Sequence, residues 1–359
     1  MNDSQLLTLN AGSSSIKFAL FERGGSAALF GGQIDGIGVG TEAGRGATAT
    51  HEQALAEVMA RLSERAARVG AIGHRIVHGG MNFVRPVRID DAVLAQIAAL
   101  ADLAPLHQPH NVAGVRAALR AFPSVPQVAC FDTAFHAMQP ELNRRFALPQ
   151  ALFDAGVRRY GFHGLSYESI LAQLRAGDPA AAQGRVVVAH LGNGASMCAM
   201  RDGRSVATTM SFSPLDGLPM GTRCGRLDAA VVLHLLGPGG RSADEVAHLL
   251  FRESGLLGLS GVSSDMRALE ASDEPGAALA IDYFVEHVVR ELAGMAGALR
   301  GIDTLVFTGG IGENASALRE RIVREAKWLG PFDVRVLRTD EEAVIARHTA
   351  QLLGAAWPE

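Results

Sequence analysis

Residues 6–24 read LLTLNAGSSSIKFALFERG. An apolar run (Leu6, Leu7, Leu9) breaks into Asn10, Gly12 and three serines, then resumes as Ile16, Lys17 and Phe18. This pattern predicts a strand, a small-residue turn and a second strand. The same plan returns at 186–204, VVVAHLGNGASMCAMRDGR, so the chain is expected to consist of two similarly built halves. A third glycine-rich turn, VFTGGIGENAS at 306–316, follows another apolar strand and opens a helix. Backbone N–H groups at such turns and at helix N-termini bind phosphate. Three of them suit a nucleotide held in a cleft between two lobes, although each taken singly is more commonly a turn without a ligand. No G-x-x-x-x-G-K-[ST] run occurs, and no G-x-G-x-x-G follows a strand in a βαβ setting, which argues against P-loop and Rossmann enzymes.

Bulk properties narrow the class. A chain of 359 residues has room for two cores. Hydrophobic residues make up 48% and charged residues 19%, as in an ordinary globular protein. The net charge of −4 and the absence of a Lys/Arg run give no footprint for nucleic acid or a membrane surface. No apolar stretch approaches the ~18 residues that span a bilayer, and MNDSQ does not open like a secretion signal. Cys130, Cys198 and Cys224 are too few and too scattered for a disulfide framework or zinc site. A cytoplasmic location with reduced thiols is expected. Lys17 and Lys327 are the only lysines among 33 basic residues, and one of them stands just after the serine loop.

Short β-rich runs alternating with Ala/Leu-rich stretches indicate an α/β fold. Strands are expected at 5–10, 16–21, 71–77, 127–131, 186–191, 195–200, 304–308 and 333–337. Helices are expected at 51–69, 90–103, 111–121, 165–175, 226–236, 242–252, 277–300, 315–328 and 340–353. LAPLHQPHN (103–111) and FSPLDGLPMGTRCG (212–225) are rich in Pro and Gly and read as long loops; loops of that length are usually functional.

Charged residues beside glycines mark the chemistry. GHRIVHGG (73–80) carries His74, Arg75 and His78; FDTAFH (131–136) carries Asp132 and His136. RYGFHGLS (159–166) carries His163, MGTRCG (220–225) carries Arg223, and SSDMR (263–267) carries Asp265 and Arg267. His74 and His136 read equally as core histidines, and Arg267 as a surface residue. Arg75 and Arg223 sit near glycines that let a ligand approach the backbone. The histidines lack metal-ligand spacing. Asn10, Asp132 and Glu341 offer the few oxygens that suit Mg²⁺; Glu341 and Glu342 also read as complements to a helix N-terminus.

Together the motifs LNAGSSSIKF, GHRIVHGG, LAPLHQPHN, FDTAFH, YGFHGLS, HLGNGAS, SFSPLDGLPMGTRCG, SGVSSD, FTGGIGEN and EEAVIAR resemble, in order from residue 6 to 347, the acetokinase family. That family belongs to the superfamily of acetate and sugar kinases, heat-shock cognate proteins and actin. The resemblance implies a duplicated, ribonuclease-H-like (actin-like) two-lobed α/β fold with a nucleotide cleft between the lobes. It implies an N-terminal lobe at 1–133 plus 343–359 with the first phosphate loop. A central lobe at 134–342 would carry the second phosphate loop, the nucleotide site and a homodimer interface. The implied activity is Mg²⁺-dependent (or Mn²⁺-dependent), reversible transfer of a phosphoryl group from ATP to acetate. The partners are then a small carboxylate and a nucleotide.

Residue by residue, the resemblance gives Arg75, Asp132, His163 and Arg223 catalytic roles, and places Ser13, Ser15 and Lys17 in the first phosphate loop. His190, Leu191, Gly192, Asn193 and Gly194 would hold the nucleotide with Asp265, Met266 and Arg267, and with Gly310, Ile311, Gly312, Glu313 and Asn314. Val77, Leu106, Phe162 and Pro214 would line a pocket for the acyl methyl. Asn10 and Glu341 would bind the metal, and His107 would support the site. The chain departs from the family by being shorter, around residues 24–50 and after Gly330, and by carrying Met81 and Asp340 where Glu and Asn are common. Propionate kinase is the nearest alternative. An actin-like or chaperone-like ATPase is the alternative of another class; it would have no use for Arg75, Arg223 and an apolar acid pocket.

Overall fold

A computed structural model describes residues 4–12, 15–37 and 50–354. Ser13 of the first loop lies outside the described residues, as do residues 38–49 of the shortened segment. The chain divides into two compact units, residues 1–137 with 340–359 and residues 138–339. The divisions fall at 137/138 and 339/340 and not at 133/134 and 342/343, which assigns Glu341 to the first unit.

The first unit is built on a six-stranded sheet. Its strands are β1 (Gln5–Ala11), β2 (Ser15–Glu22), β3 (Ala28–Asp35), β4 (Val69–Ile76), β5 (Val87–Arg88) and β6 (Gln127–Phe131), in the order β3-β2-β1-β4-β6-β5. The first three form an antiparallel meander, and β1, β4 and β6 run parallel. In the second unit β7 (Arg185–Leu191), β8 (Ala195–Arg201), β9 (Arg204–Thr208), β10 (Thr304–Thr308) and β11 (Asp333–Val336) are ordered β11-β10-β7-β8-β9. Again a meander leads, and β7, β10 and β11 run parallel. β3-β2-β1-β4-β6 and β9-β8-β7-β10-β11 are therefore the same sheet made twice. The two similar stretches of sequence occupy the same place in each, as a hairpin closed by Ala11↔Ile16 in one unit and Leu191↔Ala195 in the other.

β1 and β7 are central and almost continuously buried, as strands covered on both faces must be. The last helix, Glu341–Leu352, supplies one cover in the first unit. It lies so close to β4 that a Cβ on Gly73 would come 2.4 Å from Thr349 Oγ1 and 2.6 Å from Ile345 Cγ2. The long helix Pro275–Leu299 buries Ala277, Ala280, Phe284, Val288, Leu292, Met295 and Leu299 at three- and four-residue spacing. No helix among the described residues is long and apolar enough to cross a membrane.

Several expected elements differ. The helix expected at 51–69 ends at Leu62, passes through a 3₁₀ segment (Ser63–Arg68) and yields Val69 to β4. The one expected at 90–103 stops at Ala98, followed by a 3₁₀ turn at Ala101–Leu103. LAPLHQPHN is not loop throughout: a helix starts at Gln108, and Pro109 sits in its first turn, where the missing N–H costs nothing. FSPLDGLPMGTRCG holds no helix or strand, as expected.

Candidate active site

In the first unit, the parallel pairing of β1 with β4 brings the ends of both strands together and sets Asn10 beside Arg75. Arg75 donates to Asp132 through Nε (3.0 Å to Oδ1) and Nη2 (2.5 Å to Oδ2), a fork-on-fork pair. Its Nη1 donates to Asn10 Oδ1 at 3.2 Å, and Nε lies 3.6 Å from Glu341 Oε2. Asp132 follows β6 directly and is 1% exposed. Glu341 is the first residue of the last helix, whose N-terminus is capped by Asp340.

Burial works against the Arg75 charge, but Asp132, then Glu341 and Glu342, outweigh it and raise the guanidinium above its ordinary value. Burial, and next to it Glu341, pushes Glu342 up, with Lys17 pulling the other way. Carboxylates are thus crowded at this point. Asn10, Asp132 and Glu341 present hard oxygen donors, a set that fits Mg²⁺ and does not fit a softer metal. Arg75 meets both Asp132 oxygens and also Asn10 Oδ1, so an ion held by Asn10 and Glu341 would share the Asn10 oxygen with the guanidinium.

Lys17 is exposed and stands opposite Asn10 across the hairpin, and the Ser15 carbonyl accepts from Gly12 N–H. Sequence reading missed what steadies this loop. Asn111 Nδ2 donates to Ala11 O at 2.6 Å while its Oδ1 accepts from Val77 N–H at 2.9 Å. His51 Nε2 lies 2.9 Å from Gly12 O. Gln108 holds both the N–H and the C=O of His78. Asn111 and Gln108 lie in the LHQPHN segment, whose leucine and first histidine alone stood out in the sequence. Leu106 and His107 themselves are half-buried just ahead of the helix, and Val77 is buried.

His74 and His78 belong to the core. His74 bonds Gln127 Oε1 at 2.7 Å, and Gly80 N–H donates to His78 Nδ1, which a charged ring could not accept. Burial lowers both to about 4 from 6.5. Above pH 6.5 the rings are neutral in both folded and unfolded chains. Between 6.5 and about 4 the unfolded chain takes up protons that the folded one refuses. Stability is therefore expected to fall across that window by about 3 kcal/mol per ring and then level off. Denaturant midpoints at pH 7, 5.5 and 4 measure it; a flat series would show that these rings are not held neutral.

In the second unit His163 precedes the helix Gly164–Gly177 in a left-handed conformation (φ 58°). Its Nδ1 is 2.9 Å from Ser196 Oγ, and its ring stacks on His190 with centroids 4.4 Å apart. His190 Nδ1 is held 2.8 Å from Ser166 Oγ. Arg223 donates to the carbonyl of buried Pro214 at 2.8 Å. A Cβ added to Gly194 would lie 3.5 Å from His163 Nε2 and 3.7 Å from Arg223 Nη2, so both side chains converge on the glycine of the second hairpin loop. Phe162 is 1% exposed just before His163.

A cavity of about 900 Å³ opens in the same unit. Gly192, Asn193, Asp265, Met266, Arg267, Gly310, Ile311 and Asn314 line it, as do Ser264, Glu270 and Ala315, which sequence reading missed. The remaining expected nucleotide residues of this unit do not. Leu191 is a core side chain, Gly312 is buried, and Glu313 turns back to accept from Gly309 N–H and Thr308 Oγ1. His190 and Gly194 stand beside His163 instead. A Cβ on Gly310 meets nothing within 4 Å. Gly310→Leu is thus expected to fold normally yet raise KM for MgATP at least about tenfold by filling the cavity; an unchanged KM would place the nucleotide elsewhere.

Known proteins resemble this one along its length. The model of the Acetokinase family matches residues 5–353. An acetate kinase of Methylocella silvestris is 50% identical, with 97% of this chain and 98% of the relative covered. One from Rhodopseudomonas palustris is 48% identical at the same coverage. Among solved structures, Porphyromonas gingivalis acetate kinase has a TM-score of 0.87 at 33% identity, covering 98% of this chain and all of the other. A propionate kinase from Francisella tularensis has a TM-score of 0.91 at 35% identity, covering 97% and 99%.

Proposed function

Because the chain belongs to the acetokinase family, we propose that it transfers the γ-phosphoryl group of ATP to acetate, giving acetyl phosphate and ADP, reversibly and by direct in-line attack. The observation that carries this reading is the Asn10–Arg75–Asp132–Glu341 cluster beside the first hairpin loop. An ATPase that only moves its domains has no need of a guanidinium positioned by a buried carboxylate.

Acetate is ionised at neutral pH, so its attack needs no strong base. What it needs is alignment and neutralisation of the crowded oxygens. Arg75 and Arg223 are assigned to the carboxylate and the transferring phosphoryl group, for which the guanidinium fork is suited. His163 donates to the same group. Asp132 holds Arg75 in place. Asn10 and Glu341 would hold Mg²⁺, which supplies charge neutralisation on the nucleotide phosphates. Ser15 and Lys17 serve the first phosphate loop, and Val77, Leu106, Phe162 and Pro214 are assigned to the acetate methyl.

On this assignment the metal donors Asn10 and Glu341 belong to the first unit, and the acceptor residues are drawn from both units. The second unit is also assigned a homodimer face: the helix Ala229–Leu236 buries none of its residues within the chain although seven of its eight are aliphatic. Three free cysteines among the described residues suit the reducing cytoplasm, where we place the protein.

Trapping the acyl phosphate as hydroxamate, with MgATP and acetate, propionate or butyrate in parallel, tests the reading. Acetate is expected to give the highest kcat/KM. The likeness to a propionate kinase supports a second reading, and one methylene in an apolar pocket is worth only about 1–3 kcal/mol. A higher kcat/KM for propionate would reverse the order, and ATP loss without hydroxamate for any acid would remove the kinase assignment.

A further inference from the structure

The paired register of β1 with β4 runs out at Leu9↔His74, one residue short of Asn10 and Arg75. On its other side β4 stays paired with β6 as far as Ile76↔Phe131, and Asp132 N–H donates to Ile76 O at 3.0 Å. Backbone therefore fixes Asp132 to the end of β4. Asn10, which accepts from Arg75 Nη1, is paired with Lys17 of β2 and not with β4. Beyond the paired register a side chain joins the two strand ends. Asn111 Nδ2 donates to Ala11 O at 2.6 Å, and its Oδ1 accepts from Val77 N–H at 2.9 Å.

The carboxamide fits only one way round, because a peptide N–H donates and a carbonyl accepts. It is 2% exposed, and it bridges the strand ends as a peptide group would. Its helix, Gln108–Ala121, comes this close to β1 because Gly114, three residues on and on the same face, has no side chain; a Cβ there would lie 2.6 Å from Ala11 Cβ. The loop after β4 relies on such bonds throughout. Val77, His78, Gly79 and Gly80 give their N–H groups to Asn111, Gln108, Thr133 and the His78 ring. We infer that Asn111 is a positioning residue: by holding Ala11 and Val77 at a fixed separation, it sets Asn10 against Arg75.

Ala11 follows Asn10 directly, and Val77 lies two residues after Arg75, so a change in this separation moves Asn10 relative to the guanidinium. Asn111 is uncharged, and its effect is on alignment and not on the charge of the site. A misplacement of about 1 Å costs up to about 10²-fold in rate. The geometry rests on the hydrogen bonds; the effect on kcat rests on the proposed kinase reading.

The test pairs kinetics with crystallography of the full-length protein. Asn111→Leu keeps the side-chain size but makes neither bond, and is expected to lower kcat about 10- to 100-fold with KM for MgATP within about twofold of wild type. In an Arg75→Ala background the same substitution is expected to lower kcat less than about threefold, since the group it aligns is gone. Gly114→Ala keeps the carboxamide but moves its helix off Ala11, and is expected to reproduce the fall in kcat should Asn111→Leu fold poorly. Crystal structures without ligand give a reading that needs no activity: the Asn10–Arg75 bond is expected in the wild type and broken in both single variants. Losses of kcat that multiply in the double variant, or an Asn10–Arg75 bond intact in both single variants, overturn the inference. If the wild type makes no hydroxamate from any acid, the kinase reading fails and the crystal structures alone decide the positioning role.

Discussion

Arg75→Ala is expected to lower kcat by about 10³-fold, at the upper end for removal of one electrostatic stabiliser. The same change removes the guanidinium that meets both oxygens of Asp132, which is 1% exposed. A buried charge robbed of its partner costs about 3–5 kcal/mol, so the variant is also expected to unfold at lower denaturant. Two further variants separate these effects. Arg75→Lys restores a charge beside Asp132 but not the fork, and is expected to recover stability more than kcat. Arg75→Ala combined with Asp132→Asn removes that buried charge and is expected to regain stability without activity. Near-normal kcat in Arg75→Ala would take this arginine out of the mechanism.

Arg223→Ala is expected to lower kcat by about 10²–10³-fold with little change in stability or nucleotide affinity. The contrast with Arg75 follows from its setting. Arg223 is half-buried, donates to the Pro214 carbonyl, and is not among the residues that line the cavity assigned to the nucleotide. Steady-state kcat against calorimetric binding of MgADP measures both halves of the claim. A loss confined to nucleotide binding, with kcat intact at saturation, would reassign Arg223 to the nucleotide.

The duplicated sheet was legible in the sequence because both hairpins carry the same apolar–small–apolar pattern, and buried central strands leave a nearly unbroken apolar signal. The hidden strands were edge or glycine-bearing ones. β3 contains Gly31 and Gly32, where Cβ atoms would come 3.1 Å from the Phe18 carbonyl and ring, so packing and not propensity makes it a strand. β5 has two residues, too few to show alternation, and β9 (RSVAT) has only Val206 and Ala207 as apolar residues. The short helices Gly255–Ser260 and Gly309–Asn314 begin with glycines, against helix propensity, because the chain turns there through positive φ at Gly255 and Gly309.

At the site, charged side chains in glycine-rich segments were readable because few structural tasks suit them. Asn111, Gln108 and Ser196 were not, since each looks like an ordinary helix or strand residue until its partners arrive from other elements. Leu191 and Glu313 erred the other way. They sit inside recognisable motifs, yet the strand period turns one into the core and a capping bond turns the other back on its own helix.

The central claim is that ATP consumption and acyl phosphate formation are one event. Phosphorus NMR of the full-length protein with MgATP and acetate follows every phosphorus atom at once. One acetyl phosphate for each ADP, with no ADP formed when acetate is withheld, is the predicted result. Inorganic phosphate rising with ADP at a rate indifferent to acetate would contradict it.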